Sequence, residues 1–225
     1  YDDISLMVVF LNCDGLNSSY QAATHLVNKL RDEHNQISTT GYPLAAVYDK
    51  LWADLEALEE TVLVVLDEID NIQDDSILYQ LPRARDNNNL QKTKLGLIGI
   101  SNDFEFRDQL SSKVKSSLCE EELHFPAYDA DELRSILEQR VEVGFQPGVV
   151  DDAVIAYCAA IGARDAGDAR QSIELLMKGG DLARKEDATT VQEEHVKRGE
   201  KLLERSRVAE GISGLTPHGR YILYA

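Results

Sequence analysis

The chain has 225 residues, 43% of them apolar, enough for one large domain or two modest ones with their own cores. Against 23 Lys and Arg stand 40 Asp and Glu, a net charge of −17. The acids are scattered over the chain and not gathered in a tail, which describes the charged surface of a folded body and argues against tight binding to a polyanion at ordinary salt.

One setting removes that last objection. Molar salt screens charge within roughly 3 Å, and proteins of salt-loving organisms carry acidic surfaces. A halophilic source is therefore expected, with loss of folding at low salt as its test. The longest apolar runs, residues 6–11 and 62–66, are far too short to cross a bilayer. Cys13, Cys119 and Cys158 lie far apart with no paired spacing, as reduced thiols of a cytosolic protein do. The five histidines show no metal-ligand spacing. The chain opens at Tyr1 directly before an apolar run, so a fragment of a longer protein is expected.

In chain order, residues 5–11 form an apolar, β-branched run that predicts a buried strand. Residues 18–31 have helical spacing with Ser18 or Ser19 as cap, and residues 44–58 are a second amphipathic helix. Residues 61–66 read as a strand apolar on both faces, as a parallel strand covered by helices should be. A helix over residues 75–85, disturbed by Pro82, leads to a buried strand over 95–100. A short helix over 110–118 and a brief strand over 123–125 close this part. Beyond Pro126 the spacing predicts four helices, over 131–143, 151–161, 167–184 and 191–208, with no strand between them. After a break at Ser213-Gly214, residues 216–225 begin another helix. The α/β alternation thus gives way to a helical bundle at about residue 127.

Three places carry chemistry. Residues 62–66 run into Asp67-Glu68, the Walker B arrangement, at the carboxyl end of a strand where open α/β sheets bind ligands. Asp67 can hold Mg²⁺ through water, and Glu68 can orient and deprotonate an attacking water. The alternative is a buried strand whose terminal acids cap the next helix. Asn102, at the end of the next strand, can touch a γ-phosphate; its alternative is an Asn-Asp turn. Arg170, in Gly167-Asp168-Ala169-Arg170, sits on the first turn of a bundle helix, where its planar fork can reach over phosphates. A solvated Arg is the alternative there.

Taken together with Val114-Lys115-Ser116-Ser117-Leu118 and Phe125-Pro126-Ala127-Tyr128, these pieces resemble the archaeal origin-recognition/cell-division-control DNA replication initiators. Asn12-Cys13 with Ser19-Tyr20-Gln21 is similar to the segment after that family's second strand. The resemblance covers nearly the whole chain. It implies an α/β AAA+ three-layer parallel-sheet core over residues 1–127, incomplete at its start. An all-α lid over 128–210 and the beginning of a winged-helix domain over 211–225 would follow. It implies ATP or ADP with Mg²⁺ between core and lid. Asp67 and Glu68 would be Walker B, Asn102 sensor 1 and Arg170 sensor 2, with Tyr128 and Ile136 near the adenine. The implied partners are double-stranded origin DNA, the replicative helicase and other initiator copies, in the cytoplasm at the nucleoid. A DNA-touching insertion is implied between Ser18 and Leu58, near Tyr42, Tyr48 and Trp52, although aromatics at helical spacing are more often core.

The sequence also departs from that pattern. No G-x-x-x-x-G-K-[ST] loop occurs in the 225 residues; in the family it lies upstream, and its strand sits between those represented by residues 95–100 and 123–125. The chain alone is therefore expected to bind ATP poorly and to be marginally stable. Lys113 stands where many members carry an Arg that completes a neighbour's site; Arg107 is the substitute candidate. Two other readings stay open: a clamp-loader or remodelling ATPase acting on proteins, and a non-hydrolysing scaffold.

Overall fold

The structure, a computed structural model, describes residues 5–118, 121–165 and 167–216. The chain divides into two compact units, Tyr1–Glu122 and Leu123–Ala225.

The first unit is built on a parallel sheet of β1 (Leu6–Asn12), β2 (Thr61–Asp67) and β3 (Lys94–Gly99), in the order β1-β2-β3. Helices α1 (Ser19–Lys29) and α2 (Leu44–Glu56) connect β1 to β2. Ser18 caps α1 by accepting from the Gln21 amide at 3.4 Å, while Ser19 is buried and ties the start of α1 to Asp74 and Ile77. A two-pronged ion pair, Arg31 Nε to Asp54 at 2.6 Å and Nη2 at 3.0 Å, holds the end of α1 against α2. Tyr48 and Trp52 are buried and stacked with ring centroids 5.8 Å apart, so of the three aromatics only Tyr42 is exposed, under Lys50.

Helix α3 (Ser76–Gln80) is shorter than the spacing predicts, because Pro82 supplies no amide and its ring blocks the next turn. The predicted helix over 110–118 is α5 (Ser112–Leu118), and a further short helix, α4 (Phe106–Gln109), precedes it. Val9, Leu11, Val62, Val64 and Leu66 pack with Leu26, Leu51, Leu55 and Ile77 into one core. The opposite row of the sheet departs from the expectation that the strands over 5–11 and 95–100 are buried. Leu6, Val8 and Phe10 are 54%, 55% and 49% exposed, and Ile98 is 44% exposed. Residues 123–125 form no strand. A strand is stable only when its backbone groups pair, and none of the three makes a ladder bond; Leu123 and Phe125 are 73% and 84% exposed.

The described residues of the second unit form four helices: α6 (Ala130–Gly144), α7 (Asp152–Arg164), α8 (Ala169–Lys185) and α9 (Glu193–Gly214). Asp129 starts α6 with a reciprocal capping box to Glu132. Leu133, Leu137, Val154, Cys158, Leu176 and Val196 form the core. Helix α9 runs to Gly214, past the end predicted at residue 208, so residues 211–214 continue this helix. The predicted helix over 216–225 falls, beyond Thr216, outside the described residues. Among the described residues, no helix is long and apolar enough to cross a membrane.

Candidate functional site

The carboxyl edge of the sheet gathers the chemistry of the first unit. Asn12 is in register with Asp67, and the Cys13 amide donates to the Asp67 carbonyl at 2.8 Å, carrying the β1–β2 ladder one step past the strand. On the other side, the Ile100 amide donates to Leu66 O at 2.8 Å, and the Ile69 amide donates back to Ile100 O at 3.1 Å. These bonds hold residues 66–69 beside residue 100, so the acid pair and the Ser101-Asn102 segment lie along one edge. Apolar runs of seven, seven and six residues paired in parallel register produce that alignment.

Glu68 is the strained residue of this edge, with φ 52° and ψ 44°. A side chain in left-handed backbone costs about 1–2 kcal/mol, and such residues concentrate where function demands a sharp turn. The Asp67 Oδ1 accepts the Glu68 amide at 3.0 Å, and Glu68 Oε2 accepts from Asn71 Nδ2 at 3.3 Å. Both carboxylates are partly exposed. The second oxygen of Asp67 could accept from a metal-bound water, a donor that fits Mg²⁺ held through one carboxylate, waters and substrate phosphates. Burial, then the charges of Asp67, Asp70 and Glu68, push the Cys13 thiol up to about 11. Cys13 is therefore an inert core residue and no nucleophile.

Beyond β3, Ser101 and Asp103 form the turn that the sequence offers as the alternative. Asp103 N donates to Ser101 Oγ at 3.0 Å, and the Asp103 carboxylate accepts from Glu105 N and Gln109 Nε2. Asp103 does the turn-making, and Asn102 is left exposed at the edge. A cleft of about 570 Å³ opens nearby, lined by Asp70, Asp74 and Asp75 and, among the described residues, by no Lys or Arg.

Within the second unit, Gly167 sets Tyr128 beside the start of α8, which carries Arg170. Its carbonyl accepts the Tyr128 amide at 3.1 Å, and its φ is +65°. A β-carbon there would lie 2.5 Å from the Tyr128 carbonyl oxygen, so only glycine lets the two segments meet. Asp168 caps α8 by accepting the Arg170 amide at 2.7 Å, which sets Arg170 on the first turn, exposed. Ile136 is half-buried on α6.

The remaining candidates lie on α4 and α5. Val114 is a core residue, 1% exposed, so the apolar part of its motif serves packing. Lys115 is engaged with the Asp108 carbonyl at 3.0 Å. Arg107 is exposed on α4. Lys113 Nζ sits 3.6 Å from the centroid of the Tyr79 ring. Tyr79 carries no signal in the sequence, because the contact joins two helices distant in the chain.

A profile of the Cdc6 AAA+ ATPase-type lid domain matches residues 134–201, within the four-helix unit. The chain is 64% identical over 225 residues to ORC1-type DNA replication protein 11 of Haloarcula marismortui, covering 100% of this chain and 54% of that protein. It is 50% identical over 226 residues to ORC1-type DNA replication protein 10 of Halobacterium salinarum, covering 100% of this chain and 55% of the other. The Aeropyrum pernix ORC1 protein, solved in complex with DNA, superposes with a TM-score of 0.81 at 33% identity, over 98% of this chain and 56% of that one. The chain belongs to the archaeal Orc1/Cdc6 family. It spans about half the length of the curated relatives it matches. The α/β unit is therefore an AAA+ core and the helical unit an Orc1/Cdc6-type lid. Both curated relatives come from salt-requiring archaea, the setting that a net charge of −17 favours.

Proposed function

We propose that this chain is the core and lid of an ATP-switched replication initiator that binds double-stranded origin DNA and helps load the replicative helicase. Asp67 holds the water shell of Mg²⁺, Glu68 takes the proton of the attacking water, and Asn102 orients that water against the γ-phosphate. From the lid, Arg170 covers the phosphates, and Tyr128 and Ile136 line the adenine. The nucleotide supplies a γ-phosphate whose presence or absence sets the lid angle, a two-state switch. Lys113, with Arg107 as alternate, acts on the site of a neighbouring copy. Residues 128–210 serve as lid and 211–225 lead into a winged helix.

One observation supports this reading above the others. The acid pair, with Glu68 in left-handed backbone, and Asn102 share one sheet edge in a chain whose relatives are named replication proteins. Affinity for DNA comes from phosphate contacts and specificity from shape. The test uses the whole protein in molar salt. ATP-dependent protection of an inverted-repeat origin element should be lost in Glu68→Gln and Arg170→Ala. Unchanged footprints in both variants refute the switch and leave a non-hydrolysing scaffold.

A further inference from the structure

The cation proposed to act on a neighbouring copy is not a loose surface lysine. Lys113 Nζ lies 3.6 Å from the Tyr79 ring centroid, and the Arg83 guanidinium lies 5.2 Å from the same centroid. The helices carrying the lysine and the ring are clipped a second time, where the Ser111 amide donates to Asp75 Oδ2 at 3.0 Å. Helix α3 is itself anchored to the start of α1. The Ser19 amide donates to Asp74 Oδ2 at 2.8 Å, and the Ile77 amide donates to Ser19 Oγ at 2.9 Å. Those residues follow directly on the Glu68 turn, through Ile69 and Ile72.

We propose that Tyr79 is a positioning residue for Lys113: its ring holds the ammonium in one direction at the surface presented to a neighbouring copy. This rests on the reading of Lys113 as the trans-acting cation. A lysine is a point charge on a flexible stem and lacks the rigid fork of arginine, so what Lys113 lacks in geometry must come from a neighbour. An aromatic face does this without consuming the charge, because the attraction is weak enough to be surrendered to a phosphate.

The experiment uses the whole protein in molar salt with ATP and Mg²⁺, comparing wild type, Lys113→Ala, Tyr79→Leu and Tyr79→Phe. Lysine-selective ¹³C labelling should show the Lys113 ε-protons shifted upfield by the ring in wild type and Tyr79→Phe, and unshifted in Tyr79→Leu. The part of hydrolysis that rises with protein concentration should vanish in Lys113→Ala. It should fall about two- to five-fold in Tyr79→Leu, the population change a cation–π contact of exposed strength produces, and recover in Tyr79→Phe. A wild-type Lys113 without the upfield shift overturns the positioning role, whether or not Tyr79→Leu folds. So does Tyr79→Leu hydrolysing like wild type while Lys113→Ala does not. Lys113→Ala hydrolysing like wild type overturns the trans-acting reading itself.

Discussion

Gly167→Ala should unfold the lid far more readily than Gly148→Ala, although both glycines have positive φ, +65° and +78°. At Gly148, the turn residue after Pro147, an added β-carbon meets nothing within 4 Å. The cost there is the left-handed penalty of about 1–2 kcal/mol. It is offset by about 0.4–1 kcal/mol from the stiffer unfolded chain. At Gly167 the same two effects apply, and the β-carbon would also fall 2.5 Å from Tyr128 O and 2.9 Å from Tyr128 N, where ordinary contact begins near 3.4 Å. Both are backbone atoms, so the strand of chain through Tyr128 must move and the 3.1 Å Tyr128–Gly167 bond must stretch. Losing that bond adds about 1 kcal/mol, with strain on top. Urea titration of the whole protein in fixed molar KCl should place Gly167→Ala at least about 1 kcal/mol below Gly148→Ala with an unchanged m-value. Nucleotide affinity should fall in Gly167→Ala only, because Tyr128 and the first turn of α8 shift. Equal stabilities for the two variants refute the claim that the close approach to Tyr128 is what demands glycine.

Leu66→Ala, at a side chain 0% exposed, should cost about 2–5 kcal/mol in the same titration, whereas Leu6→Ala, 54% exposed on the uncovered row, should stay within about 0.5 kcal/mol. Equal losses would mean that row is covered. Glu56 accepts the Lys92, Gln91 and Thr93 amides, and these hydrogen bonds, led by that from Lys92, hold its carboxyl below the ordinary 4.5. A depressed carboxyl contributes stability that is full above its unfolded value and disappears as pH falls through the folded one. Glu56→Gln should therefore narrow its stability gap to wild type as pH drops below about 4.5, and a gap independent of pH contradicts this. Arg31→Ala should cost about 1 kcal/mol or less, because the pair with Asp54 is partly exposed, and the cost should shrink as KCl rises above the lowest concentration that keeps the protein folded.

Much of this was legible from local pattern alone. The three strands, the helices of both units and the acid pair at the end of β2 follow from apolar periodicity and turn residues, which act over a few residues and leave their mark in order along the chain. A turn at Asp103 is one of the two readings its residues allow, and the observed bonds form it while leaving Asn102 exposed at the edge. Residues 123–125 have strand composition and no strand, because pairing needs a partner that composition cannot supply. The two faces of β1 carry equally apolar side chains, and only packing distinguishes the buried Val9 and Leu11 from the open Val8 and Phe10. The Gly167–Tyr128 approach and the Lys113–Tyr79 contact belong to the same class. Sequence determined which residues could serve each element; tertiary structure decided which of them met, since contacts between segments distant along the chain depend on the packing of intervening helices and leave no periodic trace.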